Sequence, residues 1–77
     1  MQPEVYRIIE ELKKDENFRN IKDIERFSEK IERAYYNHLD IVSEIRKAGL
    51  WIMVNPERKK KRYDRFLVNW LSRSVPR

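Results

Sequence analysis

Cysteine is absent from this 77-residue chain, and histidine occurs once, at His38. The first absence removes disulfides, thiolate metal sites and cysteine nucleophiles together; the second leaves a lone imidazole without a fellow ligand. Neither a metal nor any other cofactor is expected. Gly49 is the single glycine, so no glycine-rich phosphate loop can form. Ser28, Ser43, Ser72 and Ser74 have no His/Asp arrangement around them, and carboxylate pairs such as Glu25/Glu29 fall on charged helix faces. These gaps speak against an enzyme. Long apolar runs are missing too. The longest, GLWIMV at 49–54, is far too short for a membrane span or a signal segment. The expectation is a soluble, cytoplasmic protein with no membrane partner.

What the chain has in abundance is charge, and it is unevenly placed. The formal net charge is +5. Residues 1–40 carry eight basic and ten acidic side chains, a balance of −2, whereas residues 41–77 carry ten basic and three acidic ones, a balance of +7. Such segregation gives one side of a small domain an affinity for polyanions. For the N-terminal half, alternating charge reads as an ordinary solvated surface.

Apolar spacing is helical throughout and predicts an all-α fold, a small compact bundle of four helices over about 3–14, 21–36, 41–54 and 57–72. The chain is long enough for one domain over 1–77, and without staples it must be held by apolar packing or by a partner. In the first segment Val5, Ile8, Ile9 and Leu12 form one face, with Pro3 suited to the first turn and Glu10/Lys14 on the solvated back. DENFRN at 15–20 breaks the pattern as a turn. Asn20 then offers an N-cap for the second segment, with Asp23 in its first turn and Ile24, Phe27, Ile31, Ala34 and Tyr35 as its buried stripe. Asp40 caps the third, whose face is Ile41, Ile45, Ala48 and Ile52. GLWIMV continues that periodicity, so a lone strand there is rejected. Gly49 permits close approach by a neighbouring helix, and Trp51, off the main stripe, either widens the core face or stays partly exposed.

Asn55-Pro56 ends the third helix. The pair can also cap a fourth at once; alternatively the basic run is a loop and the helix starts near Arg62. From Tyr63 the pattern is plain, with Phe66, Leu67, Trp70 and Leu71 following, and a frayed tail is expected at 74–77.

The stretch RKKKR at 58–62 abuts this aromatic face. On a helical wheel Arg58, Arg62, Arg65, Asn69 and Arg73 align along one edge, topped by Lys59, Lys60 and Lys61. Arginine grips phosphate oxygens bidentately and lysine acts as a mobile point charge, so this row suits a nucleic-acid backbone. The competing reading is a solvated helix start. Cations at a helix N-terminus oppose its dipole, which weighs against that reading. Rings for base stacking would come from Tyr63, Trp51 or Tyr36, each of which also lies on or beside an apolar stripe.

Residues 36–73 carry, in order, Tyr36, Leu39, Asp40, Glu44, Trp51, Asn55-Pro56, the basic run, Tyr63, Arg65-Phe66, Asn69-Trp70-Leu71 and Arg73. This half of the chain resembles a helical element at the C-terminus of bacteriophage replication proteins of the replisome-organiser and helicase-loader type. It departs from that pattern at Asn37, where proline is usual. The resemblance implies a part in phage or prophage DNA replication, acting on DNA, which is favoured over RNA, or on replication proteins; loader activity is not carried over. Two functions are in competition: a phosphate-contacting DNA-binding module, and a protein-interaction adaptor using the basic edge with an apolar patch around Trp51 and Met53. The chain is expected to be a monomer or a weak homo-oligomer, the oligomer using that same patch.

Overall fold

The computed structural model describes residues 2–58 and 60–76, and these form an all-α bundle with no strand. Helix α1 spans Pro3–Lys14, α2 Ile24–Tyr35, α3 Ile41–Val54 and α4 Tyr63–Ser74, with a single 3-10 turn at Phe18–Asn20 between the first two helices. Helix α1 packs against both α2 and α3, while α4 lies along α3 and touches α2.

In α1, Pro3 occupies the first turn and Val5, Ile8, Ile9 and Leu12 are all buried, as their spacing predicts. Lys14 pairs with Glu11 at 4.0 Å rather than with Glu10. The link after α1 is more than a turn. Phe18 is fully buried in the core, drawn in by a local closure in which Asp15 Oδ1 accepts from the backbone N–H groups of Asn17 (2.8 Å) and Phe18 (3.1 Å). Sinking that ring delays α2, which begins at Ile24 and not at 21. Asn20 is therefore not its N-cap; its Nδ2 donates to the Glu16 carbonyl at 3.0 Å. Asp23 takes the cap position instead at φ 52°, a left-handed conformation that Asp tolerates better than most side chains.

The α2 stripe is also corrected. Ala34 is exposed and Ser28 is fully buried. Serine fits there because its hydroxyl donates to the Ile24 carbonyl at 2.7 Å and brings no unsatisfied group into the core. Asp40 caps α3 as expected, accepting from the Ser43 N–H at 3.1 Å, and Ile41, Ile45, Ala48 and Ile52 are buried together with Val42. Gly49 does admit a close neighbour, though not a helix: a Cβ built there would stand 2.5 Å from Asp15 Oδ2, on the link that holds Phe18.

The fourth helix starts at Tyr63, as the loop alternative required, and not at 57. Asn55 closes α3 by donating its Nδ2 to the Trp51 carbonyl at 2.9 Å, and the Arg58 N–H turns back to the Asn55 carbonyl at 3.0 Å. The described residues 55–58 and 60–62 thus belong to a non-helical connector between α3 and α4. At the far end α4 runs to Ser74, whose hydroxyl donates to Glu44 Oε1 at 3.0 Å. Among the described residues no helix is long and apolar enough to cross a membrane.

Candidate nucleic-acid interface

Helix α4 presents two surfaces. Leu67 and Leu71 point straight into the core and are fully buried, while Tyr63, Phe66 and Trp70 lie beside them and stay half-buried. Trp51, in the last turn of α3, meets these rings. Its centroid is 5.8 Å from Phe66, with the planes 30° apart, and 6.5 Å from Trp70, with the planes 60° apart. Phe66 also contacts Phe18, at 6.5 Å, so the ring cluster rests on the buried link residue.

The connector closes one side of this cluster. Arg58, Lys60, Lys61, Arg62, Asn69 and Arg73 border an open cleft of about 460 Å³ whose floor is Trp51, Phe66 and Trp70. Lys60 Nζ lies over that floor, 5.7 Å from the Trp51 centroid and 5.5 Å from Phe66. An exposed cation–π contact of this kind stabilises by about 0.5–1 kcal/mol.

The sequence-predicted row is therefore partly assembled. Arg58, Lys60, Lys61 and Arg73 reach the cleft and form no ion pair with any described residue. Arg62 borders it too but is held by Asp64, through Nη2 to Oδ2 at 2.7 Å and Nε to Oδ1 at 3.2 Å. That hydrogen-bonded pairing, chiefly, holds the Asp64 carboxyl below its ordinary value and raises the Arg62 guanidinium. Arg65 is exposed on α4 and does not border the cleft. Lys59 falls outside the described residues. Tyr63 packs edge-on against Phe18 at 6.1 Å and stays half-buried, bordering a second concavity and not this cleft. Tyr36 is exposed at the end of α2, remote from the cleft, beside Gln2, Glu4 and Arg7.

The run precedes α4 and does not form its first turn, so dipole repulsion concerns Arg62 alone, and Asp64 offsets it. What distinguishes the cluster is convergence. No protein-family model, curated protein or solved structure matches the chain.

Two contributions were not legible in the sequence. Glu44 Oε1 accepts from Trp70 Nε1 at 3.1 Å and Ser74 Oγ at 3.0 Å, while its Oε2 meets Lys47 Nζ at 3.1 Å. It fixes the orientation of one floor ring from outside the cleft. Across the Lys61–Arg62 ridge a second concavity of about 600 Å³ is bordered by Asn17, Asn20 and Lys22. These residues come from the link before α2, distant along the chain from the connector, and nothing in their local pattern points to it.

The apolar patch divides in two. Trp51 faces α4, whereas Met53, 73 % exposed, and Leu50, 58 % exposed, border a separate shallow concavity with Glu11 and Lys14 of α1. Val54 is also exposed on this outer side of α3. Nearby charge is balanced within the fold, since Arg46 pairs with Glu11 at 3.2 Å and Lys47 with Glu44.

Proposed function

We propose that this chain is a small non-enzymatic nucleic-acid-binding module that contacts phosphates through Arg58, Lys60, Lys61 and Arg73. One observation carries the reading: four cations from two elements converge on one cleft, and none of them forms an ion pair with a described carboxylate. Packing like charges together is unfavourable in the free protein, and a polyanion relieves it. The resemblance of residues 36–73 to a phage replication element adds a context, DNA replication in a phage or prophage, and DNA as the favoured polymer. In this reading Arg62 and Arg65 contribute less, since Arg62 is paired with Asp64 and Arg65 does not border the cleft.

The test is titration of fluorescent DNA oligonucleotides at several salt concentrations. Binding should weaken steeply with salt, and Arg58→Ala/Lys61→Ala/Arg73→Ala should flatten the log–log slope by about 0.7–0.9 for each phosphate that is no longer neutralised. Undetectable binding at low salt, or an unchanged slope, would remove this reading. The adaptor reading would then take its place, because Leu50, Met53 and Val54 leave an uncovered apolar stripe on α3.

A further inference from the structure

We infer that the cleft is built for single strands: an unpaired base stacks on Trp51, in the position that the Lys60 ammonium occupies in the free protein. This rests on the nucleic-acid reading above and adds which form of nucleic acid the site selects.

Trp51 and Phe66 turn their faces outward enough for an ammonium group on an exposed connector to lie over both rings. A face that admits a solvated cation also admits a planar base. The rings are fixed in advance. Trp51 leans on Phe66 and Trp70, Trp70 is anchored through its Nε1 to Glu44, and the Trp51 carbonyl holds the connector through Asn55. A base arriving there loses little ordering freedom to the protein.

Exchange favours the base. The exposed cation–π contact is worth about a two- to fivefold population bias, whereas base–aromatic stacking is worth roughly five- to hundredfold in affinity. The displaced Lys60 is then free for a neighbouring phosphate, beside Arg58, Lys61 and Arg73. A duplex can satisfy the cations but keeps its base faces inside its own stack, so it forgoes the ring floor.

The experiment compares three probes of equal phosphate number with the full chain: an oligothymidylate, a duplex, and an abasic strand. The oligothymidylate should bind at least about fivefold tighter than either of the others and quench tryptophan emission. Trp51→Leu should abolish that advantage, and Lys60→Ala should keep the quench. The abasic comparison needs no substitution, so it reads the ring contribution even if Trp51→Leu fails to fold. Duplex or abasic binding as tight as the oligothymidylate overturns this inference alone. If no probe binds at low salt, the nucleic-acid reading falls and this inference falls with it.

Discussion

Glu44 shows how a single side chain off the cleft governs what lies in it. Its carboxylate faces opposing influences. Burial is the largest and pushes its pKa up, but donation from Lys47, Trp70 and Ser74, with the Lys47 charge, outweighs it, so the group titrates below its ordinary value. The Ser74 hydroxyl has one proton for two acceptors, Glu44 Oε1 at 3.0 Å and the Trp70 carbonyl at 2.9 Å, so Trp70 Nε1 is the contact that depends on Glu44 alone. Glu44→Ala should destabilise the domain by about 2 kcal/mol in urea unfolding, the range for hydrogen bonds to a charged group, and Glu44→Gln should do less harm because it keeps an acceptor. The pH dependence has a fixed sign. A depressed carboxylate stabilises the fold above its unfolded value, near ~4.3, and that contribution disappears as pH falls through the folded value. Wild type should therefore lose stability below about pH 5 more steeply than Glu44→Gln. Parallel curves would show that the carboxylate charge is irrelevant to the fold. Asp64 is shifted in the same sense, chiefly by its hydrogen bonds with Arg62, but the pair is present in both proteins and cancels from the comparison.

At the scale of elements, the contact between α3 and the link after α1 decides where the buried ring of Phe18 sits. Gly49 faces Asp15, and Asp15 is held by two backbone N–H groups, so its carboxylate cannot swing away freely. Gly49→Ala would gain about 1 kcal/mol of helix propensity in solvent. Here it should lower stability by roughly 1–2 kcal/mol, since the added methyl must break the Asp15 closure. In an Asp15→Ala background the same substitution should become neutral or stabilising, and calorimetry of the four-member cycle reads the coupling. Additive effects would mean that Asp15 is not the obstacle. This region is also where sequence and structure part. The helices of residues 3–14, 41–54 and 63–74 follow from apolar residues three and four apart, and the Asp40 cap from its position before Ile41. Phe18 stands alone among polar neighbours, so no periodic signal marks it as core, and Asn20 reads as the cap with Asp23 in the first turn. With Phe18 buried, the helix instead begins after Asp23. The start of α4 was undetermined for a related reason, because Asn55-Pro56 satisfies the rules for ending one helix and for beginning another. As for the cleft, the wheel aligned its cations only on the premise that residues 58–62 were helical. Residues 58 and 60–62 lie in a connector, and it brings Arg58, Lys60 and Lys61 to the same cleft as Trp51 and Arg73, which Arg65 does not border.

For the molecule as a whole, the distribution of charge sets stability against binding. The half after residue 40 carries a balance of +7, and four of its cations share one cleft without a described counter-charge. At low ionic strength these groups repel across distances that salt would screen, the screening length being about 10 Å at 0.1 M. The free domain should therefore melt at a higher temperature as salt is raised from low to moderate concentration. Arg58→Ala/Lys61→Ala/Arg73→Ala should melt above wild type at low salt, by a few degrees, given about 0.2–1 kcal/mol per exposed charge interaction and about 4–8 °C per kcal/mol for a domain of this size. The gap should close at high salt, where repulsion is screened in both proteins. Inorganic polyphosphate should raise the wild-type melting temperature at concentrations too low to screen, if it binds the assembled cleft more tightly than the unfolded chain, and should raise that of the triple variant less. A triple variant that melts below wild type at low salt would show that these side chains support the fold through their packing, and the tension between stability and polyanion binding would not exist.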